Sequence, residues 1–235
     1  MLHVRKARDR GHANHGWLAS YHTFSFANYH DPEFMGHGNL RVINDDTVAP
    51  GKGFGTHPHR DMEIITYVLD GALKHEDSIG NGSVIRPGDV QRMSAGTGVT
   101  HSEYNHSGSE PVHFLQIWVL PNARGHQPGY EQTFFSDDEK RGRFRLVASE
   151  KGREGSVSLN QDADVHAGLF DGAESAIFHV RPNRDLWLHI AGGTVTVNGQ
   201  VLDAGDGASV SGPGELNFCE GQQAEVLLFD MAAAS

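Results

Sequence analysis

Apolar residues in this chain come in short runs that are separated by glycine, asparagine, aspartate and proline. Runs of this length suit β-strands, whereas a helix of ten or more residues needs a longer amphipathic pattern. The chain has 29 glycines among its 235 residues, well above the average share of ~7%, so turns are plentiful. The sequence therefore predicts an all-β protein.

Two strand signals stand out in the first half of the chain. Residues 62–69 are rich in β-branched and aromatic side chains and lead into Asp70-Gly71, a pair that suits a tight hairpin turn. Residues 112–120 form a nearly continuous apolar run that stops at Pro121, as in a strand buried on both faces. We expect a hairpin at the first run and a central sheet position for the second.

The second half repeats the style of the first. Residues 187–197 end at Asn198-Gly199, a strong two-residue hairpin signal. Residues 201–206 then echo residues 84–89, because both segments end in Gly-Asp. Gly-Asp turns also recur by chance in glycine-rich β proteins, but the combined pattern favours two copies of one β unit.

A polar, charged segment separates these two halves. We therefore predict an N-terminal domain over residues 1–125, a connector over residues 126–143 and a C-terminal domain over residues 144–235.

Charge and cysteine content exclude several classes of protein. Lys and Arg total 19 against 30 Asp and Glu, a net charge of −11 that disfavours direct nucleic-acid binding. The lone cysteine, Cys219, cannot form an intramolecular disulfide, and we expect a buried, inert thiol. The first ten residues lack the apolar core of a signal peptide, and no stretch approaches the ~20 apolar residues of a membrane span. These observations favour a cytoplasmic protein without a membrane partner.

Two clusters carry metal-ligand chemistry. In an extended strand His57 and His59 share a face, and Glu63 joins them if no bulge intervenes. The second cluster places His101 and Glu103 two residues apart. Three imidazoles and at least one carboxylate, without thiolate, suit Fe, Ni, Cu, Co, Mn or Zn. Exposed strand histidines are commonplace, but two such clusters together favour a catalytic metal site.

The two clusters resemble the paired motifs of the cupins. Gly51, His57-Pro58-His59, Glu63 and Gly71 resemble the first motif, and Gly98-Val99-Thr100-His101 with Asn105 resembles the second. Gly71 falls one residue late, and Gly96-Thr97-Gly98 replaces the Pro-x-Gly of many cupins. Further segments within the first ~125 residues resemble the bacterial pirin family: residues 10–18, 22–26, 29–32, 41–46 and 56–63.

The resemblance implies a tandem cupin (bicupin) of two antiparallel jelly-roll β-barrels, with the metal in the N-terminal domain. It assigns the metal ligands to His57, His59, His101 and Glu103. The general cupin pattern would use Glu63 instead, so the choice of carboxylate stays open at this point. We favour Glu103 because His101-Ser102-Glu103 is intact, and we expect Glu63 to be a hydrogen-bond partner of the ligands.

The C-terminal half keeps no His-x-His motif, so that domain is predicted to hold no metal. Isolated histidines are mostly structural or solvated, as we expect for His166, His179 and His189. The resemblance implies that the N-terminal segment wraps over the barrel, so we expect its histidines to lie away from substrate. Its aromatic residues are expected to pack in the core. These residues are His12, His15, His22, His30 and His37, and Phe24, Phe26, Tyr29 and Phe34.

Bacterial pirins that resemble this chain are similar to quercetin 2,3-dioxygenases. The resemblance therefore implies a dioxygenase that cleaves a flavonol such as quercetin with O2 and releases carbon monoxide. One divalent metal ion, most readily iron, would be its cofactor, and Glu103 would act as ligand and general base. Two alternatives remain: a metal-binding, redox-sensing regulator with a protein partner, and an oxygen-independent cupin isomerase or lyase.

Overall fold

The computed structural model describes residues 2–233, and strands arranged in three sheets dominate it. Burial alternates along strands such as Val99–Asn105, as expected for strands with one face on a core. The prediction of an all-β protein is confirmed. The strands of the N-terminal part are β1 (Leu2–Arg5), β2 (Gly11–Asn14), β3 (Leu18–His22), β4 (Leu40–Val48), β5 (Gly53–His59), β6 (Glu63–Asp70), β7 (Leu73–Asp77), β8 (Gly82–Ile85), β9 (Asp89–Ser94), β10 (Val99–Asn105), β11 (Val112–Val119) and β12 (Gly129–Phe134).

A short helix, α1 (Asp137–Lys140), begins the second part of the chain. Ser136 and Glu139 form a capping box at its N-terminus. Two 3-10 turns lie at Ala7–Asp9 and Arg153–Gly155. No helix within residues 2–233 is long and apolar enough to cross a membrane. The remaining strands are β13 (Phe144–Glu150), β14 (Val157–Leu159), β15 (Ala163–Phe170), β16 (Ala176–Val180), β17 (Arg184–Val197), β18 (Gln200–Asp203), β19 (Gly207–Val210) and β20 (Gly214–Ala232).

The N-terminal jelly roll consists of a seven-stranded and a four-stranded sheet. The larger sheet has the order β12-β9-β6-β11-β4-β3-β2, and the smaller has the order β5-β10-β7-β8. The predicted central strand is confirmed, because β11 pairs with β4 on one side and β6 on the other. One buried apolar cluster combines Val68 and Phe114 of the larger sheet with Leu73 and Ile85 of the smaller. The two sheets therefore share a core.

The turn at Asp70-Gly71 is not the hairpin that the sequence predicts. Strands flank it, but β6 belongs to the seven-stranded sheet and β7 to the four-stranded sheet. Gly71 has a φ of 79°, and a Cβ there would lie 2.7 Å from the carbonyl oxygen of Pro111. Glycine is required because the chain crosses between sheets in close contact with the segment before β11. The local sequence signals the turn but not the sheet that its second strand joins.

The C-terminal sheet has the order β1-β19-β17-β20-β15-β13-β14, with β16 on β20 and β18 on β17. The hairpin predicted at Asn198-Gly199 is confirmed: Val197 pairs with Gln200, and the two turn residues have φ values of 48° and 80°. Strands β13 and β14 form a parallel pair, an exception to the expected antiparallel arrangement. Cys219 lies on β20 and is half-buried, not fully buried as expected.

Two segments depart from a simple division of the chain into halves. Strand β1 pairs with β19, so the chain begins in the C-terminal sheet. The segment predicted as a connector over residues 126–143 contains β12, which is an edge strand on β9 of the N-terminal sheet. Polar side chains suit a strand with one free edge, so composition alone does not separate this strand from a loop. A shared apolar cluster joins the halves, with Ile65 and Phe229 among its members.

Candidate metal centre

Strands β5 and β10 bring three histidines together. The two strands are antiparallel neighbours in the four-stranded sheet, and His57 pairs directly with His101. His59 lies two residues along from His57 and so projects from the same face of β5. The Nε2 atoms of His57 and His101 are 3.0 Å apart. One nitrogen from each of the three rings lies within 4.8 Å of the others.

The protonation of these rings suits metal ligation. The Nδ1 atom of His57 is 2.8 Å from the carbonyl oxygen of Gly55. Since a carbonyl only accepts, Nδ1 carries the proton and Nε2 offers a lone pair towards His101. Burial and neighbouring imidazoles lower the pKa of His59 to about 4 and that of His101 to about 2. Neutral imidazole nitrogens that converge on one point fit a divalent ion better than they fit one another.

Glu103 lies on the same strand as His101, after a β-bulge in the β5–β10 pairing. Its carboxylate is buried and accepts hydrogen bonds from Gln116 Nε2 at 3.0 and 2.8 Å, and the Thr66 hydroxyl oxygen lies 3.4 Å from one of its oxygens. Burial raises the pKa of Glu103. One Glu103 oxygen lies within 4.8 Å of ring nitrogens of His101 and His75. The structure thus places Glu103 beside His101 but does not gather it into one compact group with all three ring nitrogens.

Glu63 is in a different place from the one that the sequence predicts. It is the first residue of β6, in the seven-stranded sheet, and is buried. Its carboxylate accepts hydrogen bonds from the Ser94 hydroxyl at 2.8 Å and from the Asn160 backbone and side-chain amides at 3.2 and 3.1 Å. The two contacts with Asn160 join the N-terminal part of the chain to the segment after β14. The expectation that Glu63 supports the ligands is wrong.

The break between β5 and β6 explains this outcome. Strand β5 ends at His59, Asp61 has a φ of 49°, and the next strand begins in another sheet. The alternation of faces that would align Glu63 with the two histidines therefore does not persist past the turn.

His75 belongs to the cluster, and our sequence reasoning missed it. It lies on β7, where it pairs with Glu103, and it is fully buried. Its Nδ1 atom is 3.4 Å from Nδ1 of His101, and its Nε2 atom is 3.3 Å from Asp77 Oδ2. Leu73, His75 and Asp77 are spaced two residues apart, as on one face of a strand, and this spacing was the available signal in the sequence. A lone histidine in sequence gives no indication of its neighbour on another strand.

The histidine cluster borders a cavity of about 690 Å³, within the ~300–1,000 Å³ range of small-molecule sites. Its polar residues near the cluster are His57, His59, Glu103 and Gln116. Aromatic and aliphatic side chains form much of the remaining wall: Trp17, Leu18, Phe26, Tyr29, Phe54 and Trp118.

Residues of the N-terminal segment also line this cavity, contrary to the expectation that they only cover the barrel. Three of the five N-terminal histidines are on the wall: His12, His15 and His22. His30 is exposed, and His37 packs against Trp187. The packing predicted for the aromatic residues is confirmed for Phe24, which belongs to the core, and for Phe34, which is partly buried and packs against it. In contrast, Phe26 and Tyr29 face the cavity.

A second buried carboxylate lines the cavity and was also missed. Asp46, on β4, is 4% exposed and faces the cavity. Burial raises its pKa to about 7, and the nearby charges of Asp45 and Glu103 add to the shift. Within residues 2–233, no group hydrogen-bonds to its Oδ1 atom. The run Asn44-Asp45-Asp46 gave no sign of which carboxylate points inward.

Within residues 2–233, none of the three C-terminal histidines belongs to a group of candidate metal ligands. His189 is fully buried on β17. His166 packs edge-on against Phe178, and the exposed His179 pairs with Glu215 at 3.3 Å. The absence of metal from this domain stays a prediction.

Comparisons with known proteins point in one direction. The model of the family described as Pirin matches residues 3–119, and that of the quercetinase C-terminal cupin domain matches residues 146–231. The chain is 47% identical over 231 residues to a protein of Escherichia coli (strain K12) named quercetin 2,3-dioxygenase, covering 98% of this chain and 99% of that protein.

Solved structures agree with the family models. The crystal structure of YhhW from Escherichia coli superposes with a TM-score of 0.95 at 45% identity, covering 100% of this chain and 99% of that one. The crystal structure of the bacterial pirin YhhW from Escherichia coli in complex with nickel(II) gives a TM-score of 0.94 at 45% identity, covering 100% of both chains. The tandem cupin fold predicted from the sequence is confirmed.

Proposed function

Because the chain belongs to the pirin family, we propose that it is a metal-dependent dioxygenase that cleaves a flavonol such as quercetin with O2 and releases carbon monoxide. The observation that carries this proposal is the convergence of three imidazoles, beside a buried carboxylate, on a cavity of about 690 Å³. The name of the Escherichia coli relative supports the same reaction class. The fold alone would not, because cupin-type folds host many activities.

The ligands that we propose for the metal are His57, His59, His101 and Glu103. Their nitrogen and oxygen donors, without thiolate, suit Fe, Ni, Cu, Co, Mn or Zn in the divalent state. The family member solved with nickel(II) supports a divalent transition metal, and iron remains our expectation for the native ion. When bound, such an ion supplies Lewis-acid polarisation of a substrate oxygen.

The cavity suits a flat polyphenol. Trp118 is fixed edge-on against His59 at 5.1 Å and against Phe26 at 5.5 Å between ring centroids. Aromatic walls of this kind hold a planar ring system and keep water from the reacting atoms. Asp46 lines the same cavity from β4, and its carboxylate can accept a hydrogen bond from a ring hydroxyl. The walls thus provide both orientation and a polar contact.

Glu103 is the residue that we propose to receive the proton of the flavonol 3-hydroxyl. The Thr66 hydroxyl donates to Gln116 Oε1 at 3.1 Å, which turns the Gln116 amide nitrogen towards both Glu103 oxygens. The carboxylate is therefore held in one orientation beside His101. A positioned carboxylate within hydrogen-bond reach of the hydroxyl is what proton removal requires. The two atoms of O2 then enter the ring-opened ester, and one ring carbon leaves as carbon monoxide.

An aerobic assay of the metal-loaded protein tests this function. Separate samples loaded with each divalent ion are given quercetin, while flavonol loss, O2 uptake and carbon monoxide release are followed together. The proposal predicts that O2 uptake and carbon monoxide release both match flavonol loss. Turnover that persists without O2 would indicate an isomerase or lyase. Absence of turnover with every ion, together with redox-dependent capture of a protein partner, would indicate a regulator.

A pair of glutamate variants tests the role of Glu103. Glu103→Gln should lose turnover, because the amide cannot accept the proton. Glu76→Gln is the matched control, since Glu76 lies on β7 of the same sheet with an exposed side chain and should leave turnover unchanged. Unimpaired turnover by metal-loaded Glu103→Gln would end the assignment.

A further inference from the structure

A buried line of polar groups runs from Asp77 through His75 to His101. We propose that Asp77 and His75 are positioning residues that set the tautomer and orientation of His101, so that its Nε2 lone pair faces the metal. This inference rests on the metal site of the proposed function. It concerns the strand β7, which contributes none of the proposed ligands, and it assigns a role to a histidine and an aspartate that the reaction itself does not use.

The direction of the hydrogen bonds follows from Asp77. Its Oδ1 atom accepts the backbone amides of Ile79 and Asn81 at 3.0 and 2.9 Å. Its Oδ2 atom is 2.9 Å from Asn81 Nδ2 and 3.3 Å from His75 Nε2. Because an ionised carboxylate only accepts, Nε2 of His75 must carry the proton.

With one proton on each of the two imidazole rings, the remaining atoms have one consistent arrangement. In a neutral His75 ring the Nδ1 atom is an acceptor, and its neighbour at 3.4 Å is Nδ1 of His101. That nitrogen of His101 must therefore donate, which leaves the lone pair on Nε2. The Nε2 atom of His101 is the one that faces His57 Nε2 at 3.0 Å. The chain of hydrogen bonds thus ends with an acceptor nitrogen at the candidate metal centre.

Burial strengthens this arrangement. The side chains of His75 and Asp77 have no exposed surface, and His101 is 2% exposed. Water therefore does not compete for these hydrogen bonds, and the low local dielectric favours a fully connected network. Carboxylate and histidine partners behind a ligating imidazole fix its orientation and raise its basicity, and their loss typically lowers metal affinity ~10–100-fold.

A second histidine–aspartate pair in the chain provides a matched control. His113 Nε2 lies 2.6 Å from Asp45 Oδ1, and Arg10 contacts the other Asp45 oxygen at 2.9 Å. Neither ring nitrogen of His113 is in a group of candidate metal ligands within residues 2–233. Asp45→Asn therefore changes the same kind of pair without reaching the metal centre.

Asp77→Asn should reverse the direction of the hydrogen bonds. Asn Oδ1 can keep the two backbone amides, while its Nδ2 donates to His75 Nε2 and the Asn81 amide rotates to accept. His75 Nδ1 would then donate to His101 Nδ1, and the proton of His101 would move to Nε2, which faces the metal. We expect nickel(II) affinity to fall ~10–100-fold in competition with a chelator. Asp45→Asn should keep the affinity of the wild type.

Two further measurements separate positioning from a structural role. Asn81→Ala removes contacts of the Asp77 loop but leaves the line to His101 intact, so it should lower stability without lowering nickel affinity. In the metal-free wild type, ¹⁵N spectra of the imidazoles should show His101 protonated at Nδ1, and in Asp77→Asn at Nε2. The second readout needs no metal and no activity.

Specific results would overturn the inference. A wild-type His101 protonated at Nε2 would do so, and so would nickel affinity in Asp77→Asn equal to that of the wild type. If the wild type binds no divalent ion but shows the expected tautomer, the proposed function fails while the hydrogen-bonded line stands. The two failures are therefore distinguishable.

Discussion

The two cupin domains of this chain share a β architecture but differ in what lies inside it. In the N-terminal domain, a row of cross-strand neighbours on the seven-stranded sheet is polar and buried, including His22, Asn44, Gln116 and Thr66. In the C-terminal domain, the residues of one buried cluster are apolar. They include Leu186, Leu188, Ile190, Val195, Val197, Phe218, Val226 and Leu228.

We expect the inward-facing residues, and not the shared fold, to decide which of the two domains can bind a ligand. Buried polar groups cost free energy unless they are hydrogen-bonded. The N-terminal row meets this condition: His22 Nδ1 lies 2.8 Å from Asn44 Oδ1, and Gln116 contacts both Thr66 and Glu103. The apolar C-terminal interior stabilises the chain by burial instead. Four predictions test this contrast between the domains.

The largest effect is expected in the N-terminal domain from His101→Ala. His101 is the residue shared by both groups of candidate ligands. Its loss should lower nickel(II) affinity and quercetin turnover by about 100-fold or more, which is more than the loss of a residue that only hydrogen-bonds to a ligand. His179→Ala, an exposed histidine of the C-terminal domain, should leave both unchanged. Affinity and turnover at wild-type levels in His101→Ala would contradict the comparison.

In the C-terminal domain, Leu188→Ala should act on stability alone. Leu188 is fully buried on β17, and removing such a side chain costs about 2–5 kcal/mol of unfolding free energy. Urea denaturation measures this loss, and turnover per folded molecule should be unchanged. Val201→Ala, at a position 57% exposed, is the control and should have little effect. A folded Leu188→Ala protein that has lost turnover would show that the C-terminal interior takes part in the reaction.

The buried His189 should make the free energy of unfolding fall as the pH is lowered. Burial lowers its pKa to about 4 from an ordinary value of 6.5. The unfolded chain therefore binds the proton more tightly, so this histidine contributes full stability above about pH 6.5 and progressively less as pH falls towards 4. The unfolding free energy of the wild type should therefore fall by about 2 kcal/mol between about pH 8 and about pH 5 because of this histidine. In His189→Leu that contribution to the fall should be absent. An identical pH profile for wild type and His189→Leu in urea denaturation would refute this assignment.

The smallest effect is expected at the C-terminal hairpin. Gly199 has a φ of 80°, and a Cβ there would meet nothing within 4 Å. Gly199→Ala should therefore cost only the backbone strain, about 1 kcal/mol. Gly71→Ala should cost more, because its Cβ would also meet Pro111 in the N-terminal crossing. Equal losses in thermal unfolding would mean that the two turns are not as different as the structure indicates.

Local sequence was sufficient for features that depend on neighbouring residues. The β11 strand and the Asn198-Gly199 hairpin follow from apolar runs and turn chemistry, and both are confirmed. The all-β class followed from the short apolar runs, whereas the tandem cupin arrangement followed from the resemblance that the histidine motifs carry. The hairpin predicted at Asp70-Gly71 failed because sheet membership depends on contacts with distant strands.

Prediction of the site was limited in the same way, because local patterns do not show which distant strands become neighbours. The alternation of His57 and His59 predicted a shared face, and the strand pairing places His101 opposite them. Glu63 did not follow the alternation, because the chain changes sheets after His59. His75 reaches the site only through its pairing with Glu103, across a separation in sequence that no local pattern spans.

We propose that three imidazoles and one carboxylate of the N-terminal domain hold a divalent ion at the cavity. Anomalous diffraction from crystals of the nickel-loaded protein would locate that ion. We expect one strong peak per chain, in bonding contact with His57, His59, His101 and Glu103. A peak bonded to other residues, such as His75 or a C-terminal histidine, or no peak in fully loaded crystals, would contradict it.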